Sequence, residues 1–225
     1  MSTGNWTFAF VDLAGFTALT EAHGDEVAAS NVARFYEMAR QSLVGSTEFV
    51  KGIGDAVLLA ADQPNDGVSS VTALMTAVET EANFPLARAG LHSGTGVRSE
   101  DGRGAVDYLG SGVNLAARVA GHATCRQVLL TETVAERLDD GLWSLRRLGS
   151  AQFQNVAKPI MLFELILEDG PVGEIDPVCR MRVSPGAVVG SIRYGDHDYV
   201  FCSLECVAVF TASPNDYETT GARTP

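Results

Sequence analysis

Two aspartates open the chemistry of this chain. Asp12 closes the apolar run WTFAFVD, and Asp55 follows Gly54 at the start of a second apolar run, AVLLAA. A carboxylate at the end of a buried strand is costly unless something pairs with it. Two of them at neighbouring strand ends can share hard cations such as Mg²⁺ or Mn²⁺. Asn114 and Arg118 stand one helical turn apart and share a face, where an amide and a guanidinium can hold a phosphate and its developing charge. Lys51 and Asp107 offer donors and an acceptor, the complement of adenine's ring nitrogen and exocyclic amino group. Taken singly, the aspartates read first as turn caps and the others as solvated surface; the set points to chemistry.

The elements that must position these groups are set by hydrophobic period and breakers. Residues 6 to 12 form a buried strand, broken at Gly15 and Phe16, with Thr17 able to cap the next element. A helix runs from about Asp25 to Leu43, then strands STEFVK and AVLLAA join through Gly52-Ile53-Gly54 as a hairpin. Asn65 to Ala82 is a second helix, ended by Pro85. LARAGLHSG is a strand, followed by an exposed glycine-rich loop to Gly104 and a strand ending near Tyr108. GSGVNLAARVAG is a helix opened by Ser111 and closed by Gly121. Later strands fall at QVLLT, WSLRRL and IMLFELI. The order βαββαβ with one hairpin implies an α+β fold: a mixed, mostly antiparallel, ferredoxin-like sheet with helices on one face.

Acidic residues outnumber Lys and Arg 28 to 16, a net charge of -12, which argues against a nucleic-acid partner. No apolar run reaches the roughly 20 residues that span a bilayer, and no signal peptide is evident, so the expected setting is cytoplasmic, with no membrane partner. The pattern GxxxxGK[ST] is absent, which disfavours a Walker-type nucleotide site.

Together these motifs resemble the class III nucleotide cyclase family over about residues 6 to 165. FVDLAGFT matches its first metal motif, KGIGD its second, and DYLGSGVNLAARV its substrate and transition-state motif. The resemblance implies that Asp12 and Asp55 hold two divalent cations, with help from the Leu13 carbonyl. Lys51 and Asp107 would select adenine; guanylate-specific relatives typically carry Glu and Cys there, so the pair points to ATP. Asn114 would orient the ribose and Arg118 stabilise the α-phosphate. Lys158, in NVAKPI, lies about where the family places a lysine for the terminal phosphates. Leu109 replaces the family's usual aromatic. The implied reaction turns ATP into 3′,5′-cyclic AMP and pyrophosphate at two sites shared across a C₂ homodimer. The alternatives are a catalytically silent nucleotide-binding regulator or metal-sensing scaffold, and the same enzyme using GTP.

A boundary is expected near Glu168-Asp169-Gly170-Pro171, dividing 1–168 from 169–225. The second unit is small enough to need a staple. Its residues DPVCRM, YGDHDYVFCS, Cys206, Phe210, Pro214 and Tyr217 resemble the YHS domain family, with Arg180 where a glycine is usual. Cys202 and Cys206 would face one way on a helix, and Cys179 arrives from a distant loop. Three thiolates suit Zn²⁺ or Cu⁺, with His197 or Asp198 as candidate fourth ligand; buried free thiols are the alternative. His92 and Cys125 read as core residues, and His23 and His122 receive no role.

Overall fold

Phe8, Phe10 and Asp12 alternate with Ala9, Val11 and Leu13, which divides the first strand between two faces of a sheet. The computed structural model describes residues 1–102, 104–168, 170 and 173–217. Its elements begin β1 (Ser2–Leu13), α1 (Phe16–His23), α2 (Asp25–Gln41), β2 (Glu48–Ile53), β3 (Ala56–Ala61) and α3 (Pro64–Thr80). They continue with β4 (Ala87–Glu100), β5 (Val106–Leu109), α4 (Ser111–His122), β6 (Val128–Thr131), α5 (Glu132–Ala135), β7 (Leu145–Ala151) and β8 (Ile160–Leu165). The large sheet runs β2-β3-β1-β4-β6-β8-β7, with β5 beside β4. Only the β4–β6 pairing in it is parallel.

This is the expected α+β class, but the helices are not confined to one face. Ala9, Val11, Leu13, Val57 and Leu59 pack beneath Phe35 and Met38 of α2 and Val71, Leu74 and Met75 of α3. The other face holds α4, whose Val113 and Ala116 pack on Phe8, Leu58 and Ala60. Both faces of β1 are therefore buried, and its near-continuous apolar run is the sequence record of that.

The glycine-rich stretch after Ser93 is strand, not loop: β4 continues to Glu100. The glycines of β4 leave room for α4 and for the Phe8 ring of β1. A Cβ on Gly90 would fall 2.0 Å from the Ala120 nitrogen, and one on Gly96 would meet the Phe8 ring at 2.9 Å. The β2–β3 turn is Gly54-Asp55, with Gly52 and Ile53 still in β2. Gly54 has φ 63, the left-handed value such a turn demands. Helix limits also differ: Gly15 precedes α1 in place of a Thr17 cap, and Gly110 precedes α4, which ends at His122.

His92 is held among Thr131 and Thr133, its Nδ1 3.0 Å from the Thr131 hydroxyl. Burial pushes its pKa down from 6.5 to about 4. The folded state thus keeps the ring neutral while the unfolded chain takes up a proton below 6.5. Stability is whole above that value and falls as pH drops from 6.5 toward about 4. The expected slope is about 1.4 kcal/mol per pH unit at most, reduced by the solvent that still reaches the ring. Urea melts across this range should show the slope in the parent and lose it in His92→Asn.

The predicted boundary falls in part on Asp169 and Pro171, which lie outside the described residues. Beyond it come β9 (Glu174–Ile175), β10 (Arg182–Val183), β11 (Gly190–Tyr194), β12 (His197–Phe201) and α6 (Leu204–Ala212). These elements share their core with the larger domain. Val178, Phe201, Cys206 and Phe210 pack in one cluster with Leu19 and Ala22 of α1 and Ala28 of α2. A second seam is backbone: Leu86 N–H donates to the Arg180 carbonyl at 3.1 Å, and Ala14 N–H donates to the Leu86 carbonyl at 2.8 Å.

Candidate active site and a thiol cluster

The register of β1 against β3 pairs Asp12 with Ala56, so Asp55 in the turn comes beside Asp12. Leu13 N–H donates to the Asp55 carbonyl at 3.1 Å, locking the two motifs together. Tyr36 of α2 pins the turn from outside: its ring lies over Gly52, and its hydroxyl donates to the Gly54 carbonyl at 2.7 Å. Burial pushes the Asp55 carboxyl above its usual range, and the negative charge of Asp12 pushes it further. Two crowded carboxylates in a partly dry place fit cations well.

Sequence reasoning missed the group that balances them here. Arg88 of β4 lies opposite Asp12 in the ladder and donates twice to its Oδ2, from Nη2 at 2.7 Å and Nε at 3.0 Å. It also donates to the Ala123 carbonyl just past α4 at 3.3 Å. An arginine inside the apolar run LARAGLHSG was the available signal, but only the register shows which carboxylate it meets.

Lys51 and Asp107 come together within one chain, as an ion pair of 2.7 Å. Both remain partly open to solvent, so the pair is accessible to a ligand. Asn114 and Arg118 also share a place: the Arg118 guanidinium donates to the Asn114 carbonyl at 3.2 Å. Their side chains lie on the outer side of α4, opposite the buried Val113 and Ala116, and Arg118 pairs with no carboxylate among the described residues. Lys158 is exposed in the β7–β8 connection, whose Phe153 and Val156 pack on Leu115, Val119 and Ala123 at α4. A hollow of about 540 Å³ lies elsewhere, between α3 and β8, and none of the predicted residues lines it.

Residues 1–165 match the family described as "Adenylate and Guanylate cyclase catalytic domain". The chain belongs to that family. Within this cyclase family it is 40% identical over 165 residues to the pH-sensitive adenylate cyclase MT1302 of Mycobacterium tuberculosis, covering 71% of this chain and 40% of the relative. It is 34% identical over 131 residues to an adenylate cyclase of Streptomyces griseus, covering 57% of this chain and 31% of the relative. The chain therefore spans less than half the length of these relatives. The cyclase fold is also that of adenylate cyclases from Trypanosoma brucei in their monomeric state: TM-score 0.67 and 22% identity, covering 72% of this chain and 89% of that one. No helix among the described residues of this cyclase-family chain is long and apolar enough to cross a membrane.

The late cysteines also converge, with a correction. Cys202 precedes α6 while Cys206 lies in its first turn, yet their sulfurs are 3.8 Å apart. The Cys179 sulfur is 3.4 Å from that of Cys202. His197 and Asp198, the candidate fourth ligands, are exposed on the β11–β12 hairpin and outside the cluster. The fourth group is His23, at the end of α1, whose Nε2 lies 3.5 Å from the Cys206 sulfur and 3.8 Å from that of Cys202. Nothing local marked His23, because it is far away in the chain. Arg180 has φ 60, the left-handed backbone for which glycine is the usual residue. Cys125 is only partly exposed, and burial pushes its thiol pKa up.

Proposed function

We propose that this chain is an adenylate cyclase, converting ATP to 3′,5′-cyclic AMP and pyrophosphate at two sites shared by a C₂ homodimer. The observation that carries this reading is the joint placement of Asp12 beside Asp55 and of Lys51 against Asp107, in a chain of the cyclase family. Asn114 and Arg118 face outward from α4, as a dimer-shared site requires. Leu109 and Ile53, 60% and 46% exposed beside Asp107 and Asp55, are apolar surface that a second copy would cover.

In the reaction, Asp12, Asp55 and the Leu13 carbonyl would hold two Mg²⁺ or Mn²⁺ ions. Bound there, such ions would supply Lewis acidity to the ribose 3′-hydroxyl and would offset charge on the departing pyrophosphate. The base-reading pair would come from the partner subunit, where Lys51 donates to the adenine ring nitrogen and Asp107 accepts from its amino group, which fixes the base and so the ribose. From that same partner subunit, Asn114 orients the ribose for in-line approach to the α-phosphorus. Arg118 meets the charge that grows on the α-phosphoryl oxygens, and Lys158 faces the terminal phosphates. No covalent intermediate is needed; placement and electrostatics carry the rate. We further infer a division at 168/169, with a YHS-like second module, and a cytoplasmic setting in which the four free thiols stay reduced.

The deciding assay incubates the purified protein with Mn²⁺ and either ATP or GTP. Cyclic AMP from ATP alone is expected. Cyclic GMP as the main product would make the protein a guanylate cyclase. Nucleotide binding with no cyclic product would make it a silent regulator.

A further inference from the structure

We propose that His23, Cys179, Cys202 and Cys206 form a closed tetrahedral Zn²⁺ site that fastens the C-terminal module to α1 of the catalytic domain. Their four ligand atoms lie within 4.8 Å of one another. Around a tetrahedral zinc with ordinary Zn–S and Zn–N bonds, sulfur–sulfur edges measure about 3.8 Å and sulfur–nitrogen edges about 3.6 Å. Four of the six edges here are 3.4 and 3.8 Å between sulfurs and 3.5 and 3.8 Å from sulfur to Nε2, and the two from Cys179 to Cys206 and to His23 are no longer than 4.8 Å. A disulfide would need about 2.05 Å, and all of these cysteines are free. The cluster is thus already close to the size of the ion's coordination shell.

Outer contacts hold the ligands in that shape. Asp176 is wholly buried, and its carboxylate accepts from the backbone N–H groups of Val178, Cys179 and Cys202 at 2.8, 3.3 and 2.8 Å. One side chain therefore ties both loops that carry Cys179 and Cys202. Ser203 accepts from Cys206 N–H at 3.1 Å and caps α6. A mixed set of three sulfurs and one imidazole in a closed, mostly buried cluster suits structural Zn²⁺.

The place of His23 gives the site its consequence. α1 begins four residues after Asp12, and its Leu19 and Ala22 already pack against Phe201 and Phe210. The Leu86–Arg180 and Ala14–Leu86 hydrogen bonds make a second connection to the segment just after Asp12. An ion bridging His23 and the cysteines joins positions far apart in sequence and makes release of the module cost the metal–ligand bonds.

The test uses the full chain, purified reduced and metal-free. Zn²⁺ titration should give one ion per chain, and Co²⁺ substitution should give tetrahedral d–d bands with thiolate charge transfer. His23→Ala should weaken Zn²⁺ at least about 100-fold, since even outer-shell partners cost about 10–100-fold. His23→Cys should retain the ion with stronger charge transfer, which separates ligand loss from misfolding. His197→Ala should bind as the parent does. Hydrogen exchange should slow on zinc addition at both 16–23 and 204–212. Unchanged affinity in His23→Ala would overturn the proposal, as would protection confined to 173–217 or no ion bound by the reduced chain.

Discussion

Asp12→Ala and Asn114→Ala proteins, each nearly inactive alone, should regain activity when mixed. Loss of one positioned donor at a phosphoryl or acyl centre lowers kcat about 10²–10³-fold, and loss of Asp12 removes half of the carboxylate pair, an effect at least as large. In a randomly exchanged equal mixture, half the dimers are mixed, and each mixed dimer has one undamaged site. The recovered activity should be roughly a quarter of the parent's. The reason lies in α4. Val113 and Ala116 face Phe8 and Leu58 in the core, which turns Asn114 and Arg118 away from the sheet. Rotating them toward the carboxylates of their own chain would expose that core. Absence of recovery in a mixture that native mass spectrometry shows to contain heterodimers would rule out shared sites.

Exchanging the base-reading pair, Lys51→Glu with Asp107→Cys, should reverse nucleotide preference. Adenine offers an acceptor ring nitrogen and an amino donor, whereas guanine offers a carbonyl acceptor and a ring N–H donor at the corresponding edge. Asp107 would set a carboxylate against guanine's carbonyl, and Lys51 would set a donor against its N–H. Sites that read polar groups reject the mismatched ligand by about 10⁴–10⁵-fold. With the pair partly open to solvent, a fall of about 10³-fold in kcat/KM for ATP is expected, with GTP becoming the better substrate. Both residues must change, because the parent pair is a 2.7 Å ion pair and a single replacement leaves its partner uncompensated. A well-folded double variant with an unchanged ATP-to-GTP ratio would show that this pair does not read the base.

Several parts of the fold were legible because they rest on local chemistry. The apolar runs ending at Asp12 and beginning after Asp55, and the breaker at Gly54, put both carboxylates at strand ends before any coordinates are known. The helical spacing of Asn114 and Arg118 is equally local. The glycines after Ser93 misled, since a strand that needs small residues beneath a close helix has the same composition as a loop. Helix α4 on the second face was also hidden, because period shows that a helix has an apolar side but not which sheet face receives it.

By itself, the sequence determined the chemical groups, their order, and the elements that carry them; these depend on side-chain type and on contacts within a few residues. The tertiary structure alone decided which distant groups meet. Strand register set Arg88 against Asp12, and the docking of α6 on α1 brought His23 to three cysteines more than 150 residues later. Such encounters are governed by how surfaces pack once the chain has closed on itself, and no spacing along the chain encodes them.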